Sequence, residues 1–69
     1  MYTVYILYSQ KINRYYVGYT HDLNRRLKEH NRRKGKYPDN GIPWELVYPQ
    51  EFRLKTAAMI REQFIKSKK

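Results

Sequence analysis

Four side chains that suit hydrolytic chemistry interrupt the apolar pattern of this sequence. Tyr5 and Tyr16 lie in β-branched, aromatic segments, each opposite its aliphatic neighbours. Arg26 borders one apolar helical stripe, and Glu62 lies at the rim of another. Hydrolysis of a phosphodiester needs a group that positions or deprotonates water and a cation that neutralises transition-state charge. It also needs a metal ion that polarises the phosphate, so the four residues suggest this chemistry as a hypothesis.

Each of these residues also has an ordinary structural interpretation. Buried structural tyrosine is the default for Tyr5 and Tyr16. Arg26 either extends to solvent or holds an anion near the sheet, and the pattern favours neither. Glu62 is the only acid among six basic residues between Arg53 and Lys69. Such a carboxylate is ordinarily a salt-bridge partner, and the alternative is a Mg²⁺ ligand.

The elements that hold these residues are predicted to follow the order ββαβα. β-branched and aromatic runs indicate strands, and apolar residues three and four apart indicate helices. The strands are expected over Tyr2–Tyr8, Tyr15–Tyr19 and about Trp44–Phe52. The first helix is expected over about 21–33, with Thr20 or Asp22 as its cap, and the second helix over roughly Leu54–Lys66. The segment Lys34–Pro43, rich in Gly, Pro, Asn and Lys, is expected to be a loop.

Pairing of the strands follows from their connections and their faces. The short polar stretch Ser9–Arg14 predicts an antiparallel hairpin between the first two strands. Both faces of the first strand are apolar or aromatic, so it should be an inner strand. Gly18 predicts a bulge or a close approach to the backbone, and Pro49 predicts an edge strand or a bulge.

Length and composition limit the class of protein. With 69 residues the chain is expected to form one domain, and without cysteine it has neither a disulfide framework nor a thiolate metal site. No apolar run approaches the roughly 20 residues of a membrane span. Residues Met1–Tyr8 lack the pattern of a signal peptide. A soluble, cytoplasmic protein is therefore expected.

Positive charge is the strongest signal in the composition. Fifteen Lys and Arg against six Asp and Glu give a net charge of +9, which predicts a polyanionic partner. A merely solvated basic surface is the alternative. Clustering argues against it, because seven basic residues fall between Arg25 and Lys36 against Glu29 alone.

The order of short motifs resembles the GIY-YIG nuclease superfamily. Thr3-Val-Tyr5 followed by Tyr16-Val-Gly18 resembles the paired tripeptides that name it, at a similar spacing. The stretch Tyr19–Asn31 resembles the signature of its first helix. The stretch Trp44–Tyr48 resembles the third strand of the family. The segments Ala57–Ala58 and Arg61–Lys66 resemble its metal-binding helix. The likeness is closest to the small stand-alone bacterial members.

This resemblance implies a fold, a cofactor and a role for each residue. The expected fold is α+β, with a small three-stranded antiparallel sheet flanked by helices. One Mg²⁺ or Mn²⁺ ion would be held by Glu62. Tyr5 would activate or position the attacking water, Tyr16 would support it or contact the phosphate, and Arg26 would stabilise transition-state charge. His30 fits a position near the site as a proton relay, with a core histidine as the alternative.

Two departures from the family pattern affect what is expected of this chain. Thr3 replaces the leading glycine of the first tripeptide. Larger members have a further asparagine and a separate DNA-binding domain, which this sequence lacks, so its own surface is expected to bind the substrate. The expected contacts are Gly18, Lys28, Arg32, Arg33, Lys34 and Lys36. Tyr8, Tyr19 and Tyr37 either stack on unpaired bases or are ordinary aromatics.

Three functions are compatible with the sequence. The first is a metal-dependent endonuclease acting on DNA, with RNA as an open alternative, in repair, recombination or restriction. The second is a non-catalytic, basic nucleic-acid-binding module. The third, attachment to an anionic membrane, is disfavoured because neither helix has the aromatic-edged apolar face of a surface-seeking helix. No obligate protein partner is evident.

Overall fold

The computed structural model describes residues 1–32 and 39–68. The elements are β1 (Tyr2–Ser9), β2 (Arg14–Thr20), α1 (Leu23–His30), a short 3-10 helix (Asp39–Gly41), β3 (Trp44–Phe52) and α2 (Lys55–Lys66). The α+β class and the order ββαβα, with a three-stranded antiparallel sheet, are confirmed.

The sheet has the strand order β2-β1-β3, and β1 pairs antiparallel with both neighbours. The prediction of an inner first strand is therefore confirmed, and Val4 and Leu7, on opposite faces of β1, are both fully buried. β3 lies at an edge, and its register with β1 shifts beside Ile6. Pro49 thus lies on an edge strand close to a bulge, where proline is tolerated because fewer N–H groups are needed.

The two helices cover opposite faces of the sheet. Directly paired residues share a face. His30 of α1 contacts Tyr5, so α1 lies on the face of Tyr5. Arg61 of α2 donates from Nε to Oε1 of Gln50 at 3.1 Å, and Gln50 pairs with Val4. Because Val4 and Gln50 share the other face, α2 lies on that side.

α1 is shorter than the predicted span of 21–33. It begins at Leu23, because the Asp22 side chain accepts a hydrogen bond from the Arg25 N–H at 3.2 Å. Thr20 contributes one step earlier, its hydroxyl oxygen accepting from the Asp22 N–H at 3.1 Å. The helix ends at His30, where Asn31 is the C-cap.

Residues 33–38, which are the last residue of the predicted helix and the first half of the predicted loop, lie outside the described residues. Arg33, Lys34 and Lys36, which the sequence places among the nucleic-acid contacts, and Tyr37 fall in that range. At the other end, α2 begins at Lys55 with Leu54 as its N-cap, within one residue of the prediction.

Candidate active site

Three of the predicted catalytic side chains, which lie far apart in sequence, form one aromatic cluster. The rings of Tyr5 and Tyr16 stack with centroids 6.3 Å apart, and the His30 ring meets Tyr16 edge-on at 4.5 Å. The Tyr5 hydroxyl lies 3.5 Å from Nε2 of His30. Residues from β1, β2 and α1 therefore converge on the face of the sheet that α1 covers.

Gly18 makes room for this cluster. It pairs with Tyr5 across the β1–β2 ladder, and a Cβ atom at Gly18 would lie 2.8 Å from the Tyr5 hydroxyl oxygen. Only glycine leaves that space open, so the Tyr5 ring can cross the surface of β2. The register runs regularly through this pair. A close approach, and not a bulge, therefore explains the glycine, while its predicted contact with nucleic acid stays a prediction.

His30 is held as a neutral imidazole inside the cluster. The residue is 1% exposed. Burial, followed by the positive charge of Arg26, lowers the pKa of His30 from its ordinary 6.5 to about 4, while Glu29 opposes the shift. At neutral pH the ring therefore carries one proton, and in the tautomer protonated at Nδ1 its Nε2 accepts from the Tyr5 hydroxyl.

Arg26 lies between the cluster and solvent. Its Nε forms an ion pair with Glu29 at 3.4 Å, and its charge acts on His30 one turn later. The side chain is half-buried and also lines an open depression, together with Tyr2, Tyr19, Thr20, His21 and Lys55. A guanidinium so placed is accessible to an anion that enters the depression.

Glu62 lies on α2, across the sheet from α1. The residue is 9% exposed, and its carboxylate forms an ion pair with Nζ of Lys66 at 3.3 Å. Residues 1–32 and 39–68 contain no group of three or more His, Cys, Asp or Glu that could hold a metal ion. The donor set fits a site with one carboxylate, in which Mg²⁺ keeps several waters, but not a cage of protein ligands.

Trp44 and Asn31 belong to the same region and were not among the predicted site residues. The Trp44 ring lies 6.2 Å from the His30 ring and 6.5 Å from the Tyr16 ring, and its buried Nε1–H has no acceptor among the described residues. Asn31 accepts from the Trp44 N–H at 2.6 Å and donates to the Trp44 carbonyl at 3.1 Å. The one tryptophan of the chain, directly after a loop, was the only sequence signal for this contact.

The described part of the predicted basic surface lies along α1. Lys28 and Arg32 are exposed and line an open depression together with Asp22, Asn24, Arg25 and Glu29. Both cations are accessible to phosphate groups, which the predicted contacts would need. Their contact with nucleic acid stays a prediction.

The fold is α+β, and an aromatic cluster lies on the face of its sheet that α1 covers. A family model described as the GIY-YIG catalytic domain matches residues 1–69. The chain therefore belongs to the GIY-YIG family, as the paired tripeptides predicted. Membership suggests a nuclease with a nucleic acid substrate, and nucleases of this family generally use divalent metal ions.

Several curated proteins are similar to the chain, and all three described here carry UPF0213 names. One from Streptococcus pneumoniae serotype 4 is 48% identical over 56 residues, which is 80% of this chain and 57% of that protein. YazA of Bacillus subtilis is 44% identical over 57 residues, 81% of this chain and 58% of that protein. NP_0776A of Natronomonas pharaonis is 47% identical over 53 residues, covering 75% and 62%.

The chain spans less than two thirds of the length of these relatives. No solved structure matches it significantly. Within the described residues, neither helix has the length and apolar character needed to cross a membrane.

Proposed function

We propose that residues 1–69 act as a single nuclease domain that hydrolyses phosphodiester bonds in DNA with the help of one Mg²⁺ or Mn²⁺ ion. Membership of the GIY-YIG family supports this, together with one observation. Tyr5, Tyr16 and His30 converge in space with Arg26 beside them. Repair, recombination and restriction of DNA are the processes that such an activity would serve.

The cluster holds the phenol of Tyr5 in a fixed orientation. In the tautomer protonated at Nδ1, neutral His30 accepts a hydrogen bond from the Tyr5 hydroxyl through Nε2, and this would orient the Tyr5 oxygen to position the attacking water. Tyr16 is the more exposed of the two phenols and is therefore the one that contacts the phosphate. Tyr5 and His30, each 1% exposed, act from behind it.

Arg26 and Glu62 would supply the electrostatic part of the reaction from the edge of the sheet, where Arg26 of α1 and Lys55 of α2 line one depression. The Arg26 guanidinium reaches an open depression and would neutralise the charge that develops on the phosphate. Glu62 would hold the metal ion, for which the Lys66 ammonium must withdraw from the carboxylate. When bound, the ion polarises the phosphate and assists the leaving oxygen.

Nicking of supercoiled plasmid with Mg²⁺, with Mn²⁺ and with chelator tests this proposal. We expect nicking only with metal, and we expect Arg26→Ala and Glu62→Ala each to lower the rate on the order of 100-fold or more. Arg25→Ala is the matched control. Arg25 pairs with the same Glu29 at 3.4 Å but is exposed, so its loss should leave the rate nearly unchanged.

A non-catalytic basic module is the competing function. It predicts that the purified chain binds DNA yet nicks none with either metal. It also predicts that Arg26→Ala and Arg25→Ala weaken binding to a similar extent. Absence of nicking with both metals, together with DNA binding, would replace the nuclease proposal.

A further inference from the structure

An exposed aromatic ring on α2 is flanked by two cations. Phe64 is 49% exposed. The guanidinium carbon of Arg61 lies 5.3 Å from the centroid of its ring, and Nζ of Lys68 lies 5.0 Å from it. These three residues, called here the Phe64 platform, have no role in positioning the attacking water or in metal binding as proposed above.

One of the two cations is held in place from the sheet. Arg61 Nε donates to Oε1 of Gln50 at 3.1 Å, and the same oxygen accepts from the Tyr48 hydroxyl at 3.0 Å. The guanidinium is therefore fixed over the ring of Phe64. Lys68 also lies over the ring, but it follows the last residue of α2 and is exposed, so its ammonium can leave the ring and open it to a ligand.

The surroundings of the platform favour an anionic ligand. The only acid on α2 is Glu62, which is buried and paired with Lys66. The surface of α2 therefore presents the exposed Lys55 and Lys66 and the half-buried Arg61 with no exposed carboxylate, and the exposed Lys68 follows. A flat apolar ring between positive charges is complementary to a ligand that has a flat ring between negative charges.

We propose that the Phe64 platform binds an unpaired base of the nucleic acid substrate, which stacks on Phe64 while Arg61 and Lys68 contact the adjacent phosphates. The inference rests on the proposed function, because it takes nucleic acid to be the substrate. Stacking of bases on aromatic side chains is tolerant of sequence and requires a free base face. Bases inside a duplex already stack on their neighbours, so the platform selects single-stranded or splayed substrate.

Other occupants fit this surface less well. A second copy with the platform at its two-fold axis would bring Arg61 and Lys68 against the same cations of its partner, because identical residues meet at the axis of such an interface. An anionic membrane would require the neighbouring apolar residue Ile60, 70% exposed, to insert together with Phe64. The two ligands therefore differ in their dependence on Ile60.

Equilibrium binding in the presence of chelator separates these cases. The probes are a fluorescein-labelled oligothymidylate, a duplex of the same length, and vesicles that contain phosphatidylserine. We expect Phe64→Ala to weaken binding of the oligothymidylate about 5- to 100-fold and to change duplex binding little. Phe64→Tyr, which keeps the ring, should bind like the unmodified chain, and Ile60→Ala, an exposed apolar position one turn away, is the matched control.

Three results would overturn the platform. One is an unchanged affinity of Phe64→Ala for the oligothymidylate, and another is an equal loss for single strand and duplex. The third is a loss for vesicles, shared with Ile60→Ala, without a loss for the oligothymidylate. Failure of the nuclease proposal is distinct, because it appears as absent nicking while the chelated binding assay still depends on Phe64.

Discussion

Burial determines the protonation state of His30, the residue that joins α1 to the two tyrosines. An imidazolium in this position would lose its hydration and meet the charge of Arg26. Neutral imidazole meets neither cost and keeps a lone pair for the Tyr5 hydroxyl. The same features that let His30 accept a hydrogen bond as a neutral ring therefore make its protonation unfavourable in the folded chain.

Stability should fall as the pH drops from about 6.5 to about 4, because of His30. The unfolded chain binds a proton at this residue near its ordinary pKa of 6.5, whereas the folded chain does so only near 4. The lowered pKa of His30 therefore favours unfolding in acid, and at pH 4 it reduces the free energy of unfolding by roughly 3 kcal/mol relative to neutral pH. Denaturant unfolding at a series of pH values measures this slope.

Two histidine variants isolate the effect. His30→Gln should flatten the pH dependence within this range, at the cost of lower stability at neutral pH. His21→Ala, which removes the other histidine at an exposed position, should retain the slope of the unmodified chain. Equal slopes in the His30 and His21 variants would contradict the assignment.

Among the elements, the strands were predictable because their signals are local. The β-branched and aromatic runs give β1, β2 and β3 within two residues of their observed bounds. The end of α1 was not predictable in this way. Asn31 stops the helix while its amide binds the backbone of Trp44, 13 residues away, and nothing in the helical pattern indicates that partner.

Removal of the Asn31 amide should loosen α1 from the sheet. Asn31→Ala leaves the N–H and the carbonyl of Trp44 without their partner, which costs about 1–3 kcal/mol of unfolding free energy. Asn31→Asp keeps the acceptor for the Trp44 N–H and loses only the donor, so it should lower the free energy of unfolding by less than Asn31→Ala does. Denaturant unfolding monitored by Trp44 fluorescence measures both.

Asn24→Ala provides the comparison for these variants. Asn24 also lies on α1, but it is exposed. Its replacement should change the unfolding free energy little, since surface substitutions in helices usually have small effects. A loss for Asn31→Ala no larger than that for Asn24→Ala would show that the bonds to Trp44 contribute nothing measurable.

At the scale of the whole molecule, the sequence offered candidate site residues but did not indicate where they would lie relative to one another. Tyr5 and Tyr16 meet because the β1–β2 register opposes Tyr5 to Gly18. His30 joins them because α1 crosses the face of Tyr5. The position of Glu62 on the other helix depends on which face each helix covers, and a linear pattern of residues does not contain that information.

The charge of the whole chain should make nucleic acid binding strongly dependent on salt. Each phosphate contact contributes a slope of about −0.7 to −0.9 to the logarithm of affinity against the logarithm of salt concentration. Lys28→Ala and Arg32→Ala should each reduce the slope by about one contact. Phe64→Ala should lower affinity at every salt concentration and leave the slope unchanged, because stacking releases no counterions. A flatter slope for Phe64→Ala would mean that this ring does not act by stacking alone, and unaltered slopes for the two cation variants would mean that Lys28 and Arg32 do not contact phosphates.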